Sequence, residues 1–273
     1  MESAIERWKA ILTARAQQMD AAYARLGRTS ADFWDRRAKG FHCTTKNRVA
    51  SDPFFARLCS EVSRETTVLD VGAGTGRFTL ALAPLVKHIT AVEPNAAMLS
   101  YLRRDANEQK YTNISLLQTT WQEAPDDLTA DIVICSHVVY PILDIVPFLA
   151  RLQAATRGIC YLYVRANHID AFTAPLWRHF HGDERCLPPA YMHVLDVLFE
   201  MGIYANVEIV KLPLSMSFPS LEVAVDEMTE QLILADDEKT REELRQLLEE
   251  WLVERNGVLL PPIVEMVCAI IQM

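Results

Sequence analysis

The stretch Val68-Leu69-Asp70-Val71-Gly72-Ala73-Gly74-Thr75-Gly76-Arg77 constrains this chain more than any other. A short apolar strand runs into three glycines at alternate positions, and a helical pattern, FTLALAPLV, follows. Glycine lets the backbone turn sharply and lets a ligand approach it closely. The N–H groups that open the next helix then face that ligand. Two carboxylates narrow its chemistry. Asp70 stands two residues before the first glycine, where it would repel a pyrophosphate and suit a ligand with an ammonium group. Glu93 ends the next apolar run, HITAVE, 21 residues after Gly72. An acid at that place can accept hydrogen bonds from both hydroxyls of a ribose. Arg77 occupies the position where a dinucleotide fingerprint has its third glycine.

The rest of the chain supplies the layers such a turn needs. Apolar runs at 68–71, 88–93, 113–118, 130–136, 158–166 and 204–212 read as strands, and 264–273 as a seventh. They are apolar on both faces, as a parallel sheet covered by helices requires. Strands and helical patterns alternate, which predicts a doubly wound α/β fold with a seven-stranded, mostly parallel sheet. Pro94-Asn95 opens a helix through Leu102, Asp144 stands where it would cap the helix after the fourth strand, and Pro147 falls in that helix's first turn. Ahead of the sheet lies an N-terminal helical cap, 1–65. It comprises an amphipathic helix over 3–26, a second from Ser30 to near Gly40, and a third from Asp52-Pro53. The core spans 66–214, a helical insertion 215–257, and the final strand lies within 258–273. In the insertion, Leu244, Leu247, Leu248, Trp251 and Leu252 form a helical stripe that Gly257 is expected to stop.

VLDVGAGTGRFT and ITAVEPNAAML resemble the first two motifs of the class I S-adenosylmethionine (SAM)-dependent methyltransferases, and the resemblance covers about residues 66–165. It implies a Rossmann-like SAM-binding core. Asp70, Gly72, Ala73 and Gly74 would line the methionine end of SAM, Glu93 hold the ribose, and Pro94 and Met98 flank the adenine. In the third motif, ISLLQTTWQEAP, Thr120 replaces the usual acid, with Trp121 beside it to stack on the base. The fourth, ADIVICSHVVY, puts Ser136 and His137 at the mouth of the site. FWDRRAKGF resembles the segment that covers SAM in small-molecule methyltransferases. Trp34 and Arg37 are its cofactor-side candidates, and Phe41 a substrate-side one. His137 is the candidate general base, with pocket-shaping as its alternative role. Tyr140, Arg165 and His168 are candidates for the acceptor pocket, with His42, Trp177, His179 and His181 as further polar residues.

A formal net charge of −9 argues against a nucleic-acid partner, as does the lack of the N/D-P-P-Y/F motif of amino-methylating DNA enzymes. None of the six cysteines forms a C-x-x-C pair, and HFHGDERC (179–186) matches no standard ligand spacing, so no metal is expected. The N-terminus lacks the apolar stretch of a signal peptide and no run suits a membrane span; a cytoplasmic protein is expected. The acceptor is read as a small molecule and the spent cofactor as S-adenosylhomocysteine (SAH). The insertion either caps the site, pairs two subunits as a homodimer, or is plain core. The competing readings are a non-catalytic SAM- or SAH-binding protein, an aminopropyltransferase, for which the fourth motif lacks acids, and a nicotinamide-dependent dehydrogenase, against which Asp70 and Arg77 speak.

Overall fold

The computed structural model describes residues 2–29, 49–213, 216–263 and 265–273. The predicted helix from Ser30, with Trp34, Arg37, Phe41, His42 and Cys43, lies outside the described residues. Helix α1 (Ala4–Arg25) starts on a capping box, in which the Ser3 hydroxyl accepts from the Glu6 N–H and the Glu6 carboxylate from the Ser3 N–H. Helix α2 (Pro53–Glu61) begins on Asp52, whose side chain caps the Phe54 N–H.

Then follow β1 (Thr67–Val71), α3 (Arg77–Leu82), β2 (His88–Val92), α4 (Ala96–Glu108), β3 (Ile114–Leu117), β4 (Ala130–Ser136), α5 (Ile145–Ala154), β5 (Thr156–Arg165), α6 (Ile169–His181), α7 (Tyr191–Glu200) and β6 (Asn206–Pro213). The remainder is α8 (Leu221–Gln231), α9 (Glu238–Trp251), β7 (Val253–Arg255), β8 (Val258–Leu260) and β9 (Glu265–Gln272).

The seven-stranded sheet has the order β3-β2-β1-β4-β5-β9-β6. Each pairing is parallel from β3 through β5, and β9 runs antiparallel to β5 and β6. The order reverses between β1 and β4, the place at which open α/β sheets bind ligands outside the carboxyl ends of their strands. Alternation along the strands separates two cores. Leu69, Val133, Leu162 and Val164 pack with Phe148, Leu149, Val194 and Trp8 on one face. Val68, Ile134, Tyr161 and Tyr163 pack with Phe54, Leu58 and Phe78 on the other. Among the described residues no helix is long and apolar enough to cross a membrane.

Two local expectations change. Asp144 sits at the start of α5 but caps nothing; its carboxylate pairs with Lys9 at 3.0 Å. Gly257 does not stop α9, which ends at Trp251. Asn256 and Gly257, with φ of 53° and 76°, instead turn the β7–β8 hairpin, the two-residue Asn-Gly loop that fits strand twist. A Cβ at Gly257 meets nothing within 4 Å, so Gly257→Ala costs only the left-handed backbone, about 1–2 kcal/mol. Urea unfolding should show that loss; a change below about 0.3 kcal/mol would argue against the turn.

The insertion forms a third core. Val225, Met228, Leu244 and Leu248 bury against Tyr23 of α1 and Trp177 of α6, so the stripe of α9 is spent inside the molecule.

Candidate active site

The glycine turn is fastened to β2. The Gly72 and Ala73 N–H groups both donate to the Val92 carbonyl, at 2.8 and 3.1 Å. Gly72 (φ 75°) has Val138 packed against it, such that an added Cβ would lie 2.2 Å from a Val138 methyl. Only glycine lets this loop and the segment after β4 approach so closely.

Asp70 and Glu93 stand at the ends of adjacent strands and are both buried. Glu93 ties the turn together, because its Oε2 accepts the Gly74 N–H and its Oε1 the Asn95 N–H, each at 2.8 Å. Burial pushes its carboxyl above the usual range, against these two hydrogen bonds. Asp70 accepts one strong hydrogen bond, from the Thr79 hydroxyl at 2.5 Å, and has no cation beside it among the described residues. Burial, reinforced by the Glu93 charge, pushes it up to about 7. A buried carboxyl without a counter-ion, next to a glycine turn, is the group that an ammonium ligand would satisfy.

The adenine-side candidates divide. Pro94 is exposed, Met98 is buried in the first turn of α4, and Asn95 caps that helix by accepting the Met98 N–H at 2.8 Å. Thr120 is half-buried and caps its own turn, donating to Glu123 at 2.8 Å. Trp121 is 4% exposed, sits in the core beside Leu117 and Leu152, and carries the Arg151 guanidinium 4.9 Å over its ring. That ring face is taken, so the expected stacking on a base has no support there.

Beyond β4 the structure gathers His137, Tyr140, Arg165 and His168. Ser136 ends β4, half-buried, and His137 follows in the left-handed region (φ 59°), its N–H donating to the Tyr163 carbonyl at 2.9 Å. That turn lays the imidazole against Tyr163, with ring centroids 4.8 Å apart. The Tyr140 hydroxyl accepts the Arg165 backbone N–H at 2.8 Å and lies 3.1 Å from His137 Nδ1. We assign the hydroxyl proton to Nδ1, which gives it an acceptor; the ring proton then sits on Nε2. Burial, then the charges of Arg165 and Arg77, hold the His137 pKa well below its ordinary value, so the ring is neutral. His168 packs edge-on to Tyr140 at 5.7 Å and caps α6 by accepting the Asp170 N–H.

Residues not singled out in the sequence hold this group in place. Asp52, buried, pairs with Arg77 and accepts the Tyr163 hydroxyl at 3.2 Å. Asp170, also buried, accepts from Arg15 of α1 at 2.6 Å and Gln231 of α8 at 3.0 Å, with Arg185 at 3.4 Å. A short polar side chain ahead of a proline signals the Asp52 cap, but no local pattern marks its arginine. Trp177, His179 and His181 fall elsewhere. Trp177 lies between α6 and the insertion with Arg185 and His181 against its ring, and His179 pairs with Glu243 on α9. All three pack along α6 against the insertion or the loop after α6, with His181 Nε2 2.8 Å from the Leu232 carbonyl. Among the described residues no cluster of three or more His, Cys, Asp or Glu is arranged to hold a metal.

Residues 68–158, one third of the chain, match the methyltransferase domain family. An uncharacterised methyltransferase of Bacillus subtilis, YcgJ, is 30% identical over 87 residues, 32% of this chain and 34% of its own. The crystal structure of YcgJ superposes with a TM-score of 0.52 over 85% of this chain and 97% of that one, at 18% identity, which shows a shared fold. An uncharacterised protein of Haemophilus influenzae is 24% identical over 159 residues, 55% of each chain. The chain thus spans about half the length, or less, of these curated relatives. Class I methyltransferases use SAM as methyl donor, and the turn's uncompensated carboxyl, its close-approach glycine and the buried acid ending β2 fit that molecule.

Proposed function

We propose that this chain is a SAM-dependent methyltransferase acting on an oxygen, nitrogen or carbon nucleophile of a small-molecule acceptor. The observation that carries it is the buried Asp70 carboxyl, without a cation of its own, beside the Gly72-Ala73-Gly74 turn. In this reading Asp70 holds the ammonium of the methionine moiety, and Glu93, fixed by Gly74 and Asn95, uses its remaining lone pairs on the ribose. Pro94 and Met98 border the adenine, with Thr120 at its edge, and Ser136 borders the methyl-bearing end. When bound, the sulfonium supplies a methyl group on a good leaving group; the protein's part is alignment and exclusion of water.

His137 serves as a hydrogen-bond donor in this site, not as the general base its sequence position suggested. A second ring proton would have to be held beside Arg165 and Arg77, whereas the Nε2–H is available as it stands. Tyr140 and His168 set the position of that imidazole, and Asp52 supports it through Tyr163.

Calorimetry with SAM and SAH tests the reading. Wild type should bind on the order of micromolar, about −8 kcal/mol, and Glu93→Ala should weaken binding about tenfold or more. Because the free protein's Asp70 titrates at about 7, binding to its charged form releases a proton below that pH. Affinity for SAM should therefore fall roughly tenfold per pH unit as pH drops below 7. No binding of either nucleoside by wild type would overturn the proposal. Tight binding with no transfer to any acceptor would reduce it to the non-catalytic alternative.

A further inference from the structure

Arg165 ends β5, next to β4 in the sheet, at the carboxyl end that also carries His137. It shares a strand face with Tyr161 and Tyr163, the second of which carries the His137 ring. Its side chain is partly buried, its Nε–H is buried without an acceptor, and it has no carboxylate within ion-pair distance among the described residues. Among the described residues the two carboxylates nearest this group, Asp52 and Asp170, are taken by Arg77 and by Arg15 and Arg185. Tyr140, Cys268, His137 and His168 lie around it, all uncharged, and the other nearby cation, Arg77, is paired with Asp52. The other arginines buried near this region each have a counter-ion, since Arg15 and Arg185 share Asp170. A cation that has lost much of its water and gained no partner is costly unless something else completes it.

A second unspent donor lies in the same group. With Tyr140 donating to Nδ1, the Nε2–H of His137 has no acceptor among the described residues. Two donors, one of them a full positive charge, and no free base favour an acceptor that arrives as an anion.

Resting on the methyltransferase reading, we propose that the acceptor is a small carboxylic acid, held as its carboxylate by the Arg165 guanidinium with His137 Nε2–H as the second donor. A single planar guanidinium matches a planar monoanion in a two-pronged pairing. A phosphate dianion would call for a second unpaired cation, and Arg77 is already spent on Asp52.

The test uses the full chain saturated with SAH, titrated separately with benzoate, hexanoate, benzamide, hexanamide and inorganic phosphate, and followed by thermal shift and calorimetry. At least one carboxylate should bind saturably at millimolar or better, its amide at least tenfold more weakly. Arg165→Met should lose that binding by tenfold or more with SAH affinity within about twofold of wild type, and Arg165→Lys should retain part of it. Equal binding of acid and amide, binding of phosphate alone, no carboxylate binding, or an undiminished Arg165→Met would each overturn the proposal. The SAH titration reports on the cofactor site by itself: without SAH binding, the methyltransferase reading fails whatever the carboxylates do. If Arg165→Met fails to fold, the acid-against-amide comparison on wild type still decides.

Discussion

Asp70→Asn should weaken SAM binding by about 100-fold and, above pH 7, raise the stability of the ligand-free protein. Both effects come from one feature, a buried carboxyl that among the described residues is hydrogen-bonded by Thr79 and faces no cation. In the unfolded chain this group titrates near 3.8 and in the fold at about 7. Its contribution to stability is fully present below pH 3.8 and is lost as pH rises to 7, because the fold then holds a charge it does not neutralise. At 1.36 kcal/mol per pKa unit the loss amounts to at most about 4 kcal/mol. An amide keeps the shape and the Thr79 hydrogen bond and carries no charge. The variant recovers part of that energy, less what its own N–H groups forfeit by burial. The same amide offers the ligand's ammonium no counter-charge, and removing one partner of a desolvated charged pair costs about 2–5 kcal/mol. Thermal melts of wild type and variant from pH 5 to 9, with and without SAM, read both effects together. A variant less stable than wild type at pH 8, or one binding SAM within threefold of wild type, would sink this account of Asp70.

What the sequence disclosed follows from how far apart the cooperating residues lie. The strands of the sheet are continuous apolar runs because both faces are covered, so their positions could be read without knowing their neighbours. The glycine turn and the two acids are local too, with Asp70 and Glu93 fixed by their distance from Gly72. The Asn256-Gly257 hairpin was equally local, but a glycine after a helical stripe reads first as a helix stop, and two such signals cannot be ranked by pattern alone. The hidden part is what only the fold assembles. Tyr163 meets Asp52 across 111 positions, and Gln231 meets Asp170 across 61. Nothing near either aspartate announces its partner. Trp121 shows the opposite case: its place in the motif suggests a base-stacking surface, while the fold buries the ring and sets Arg151 over one of its faces. Arg165, read as a candidate for the acceptor pocket, gained a specific chemistry once the fold showed that no carboxylate pairs with it among the described residues.

Asp170→Ala should cost about 3–5 kcal/mol of stability, because it strands charge instead of merely deleting a contact. The carboxylate joins three elements, with Arg15 on α1, Gln231 on α8 and Arg185 from the loop after α6 converging on it. Arg185 has a side chain only 4% exposed and an Nη1 already without an acceptor, and it lies 3.6 Å over the Trp177 ring. Without Asp170 it keeps its charge and loses its counter-ion. Burial alone would push the Asp170 carboxyl up, yet the Arg15 and Arg185 guanidinium groups hold it well below the usual carboxylate range. Its stabilisation is therefore complete above about pH 4, the range where the unfolded group ionises, and is lost as pH falls through the lower folded value. Urea unfolding at pH 7 and at pH 3 should show the wild-type advantage shrinking at the lower pH. Asp170→Ala/Arg185→Met should recover part of the loss, since it removes the stranded cation while keeping an apolar cover on Trp177. The consequence reaches the acceptor side. His168, which caps α6 through the Asp170 N–H, packs on Tyr140, and Tyr140 orients the His137 ring. At a temperature where the single variant is still folded, its carboxylate binding should weaken more than its SAH binding. A single variant within 1 kcal/mol of wild type would show that water replaces the carboxylate, and a double variant no better than the single would show that Arg185 is not the stranded charge.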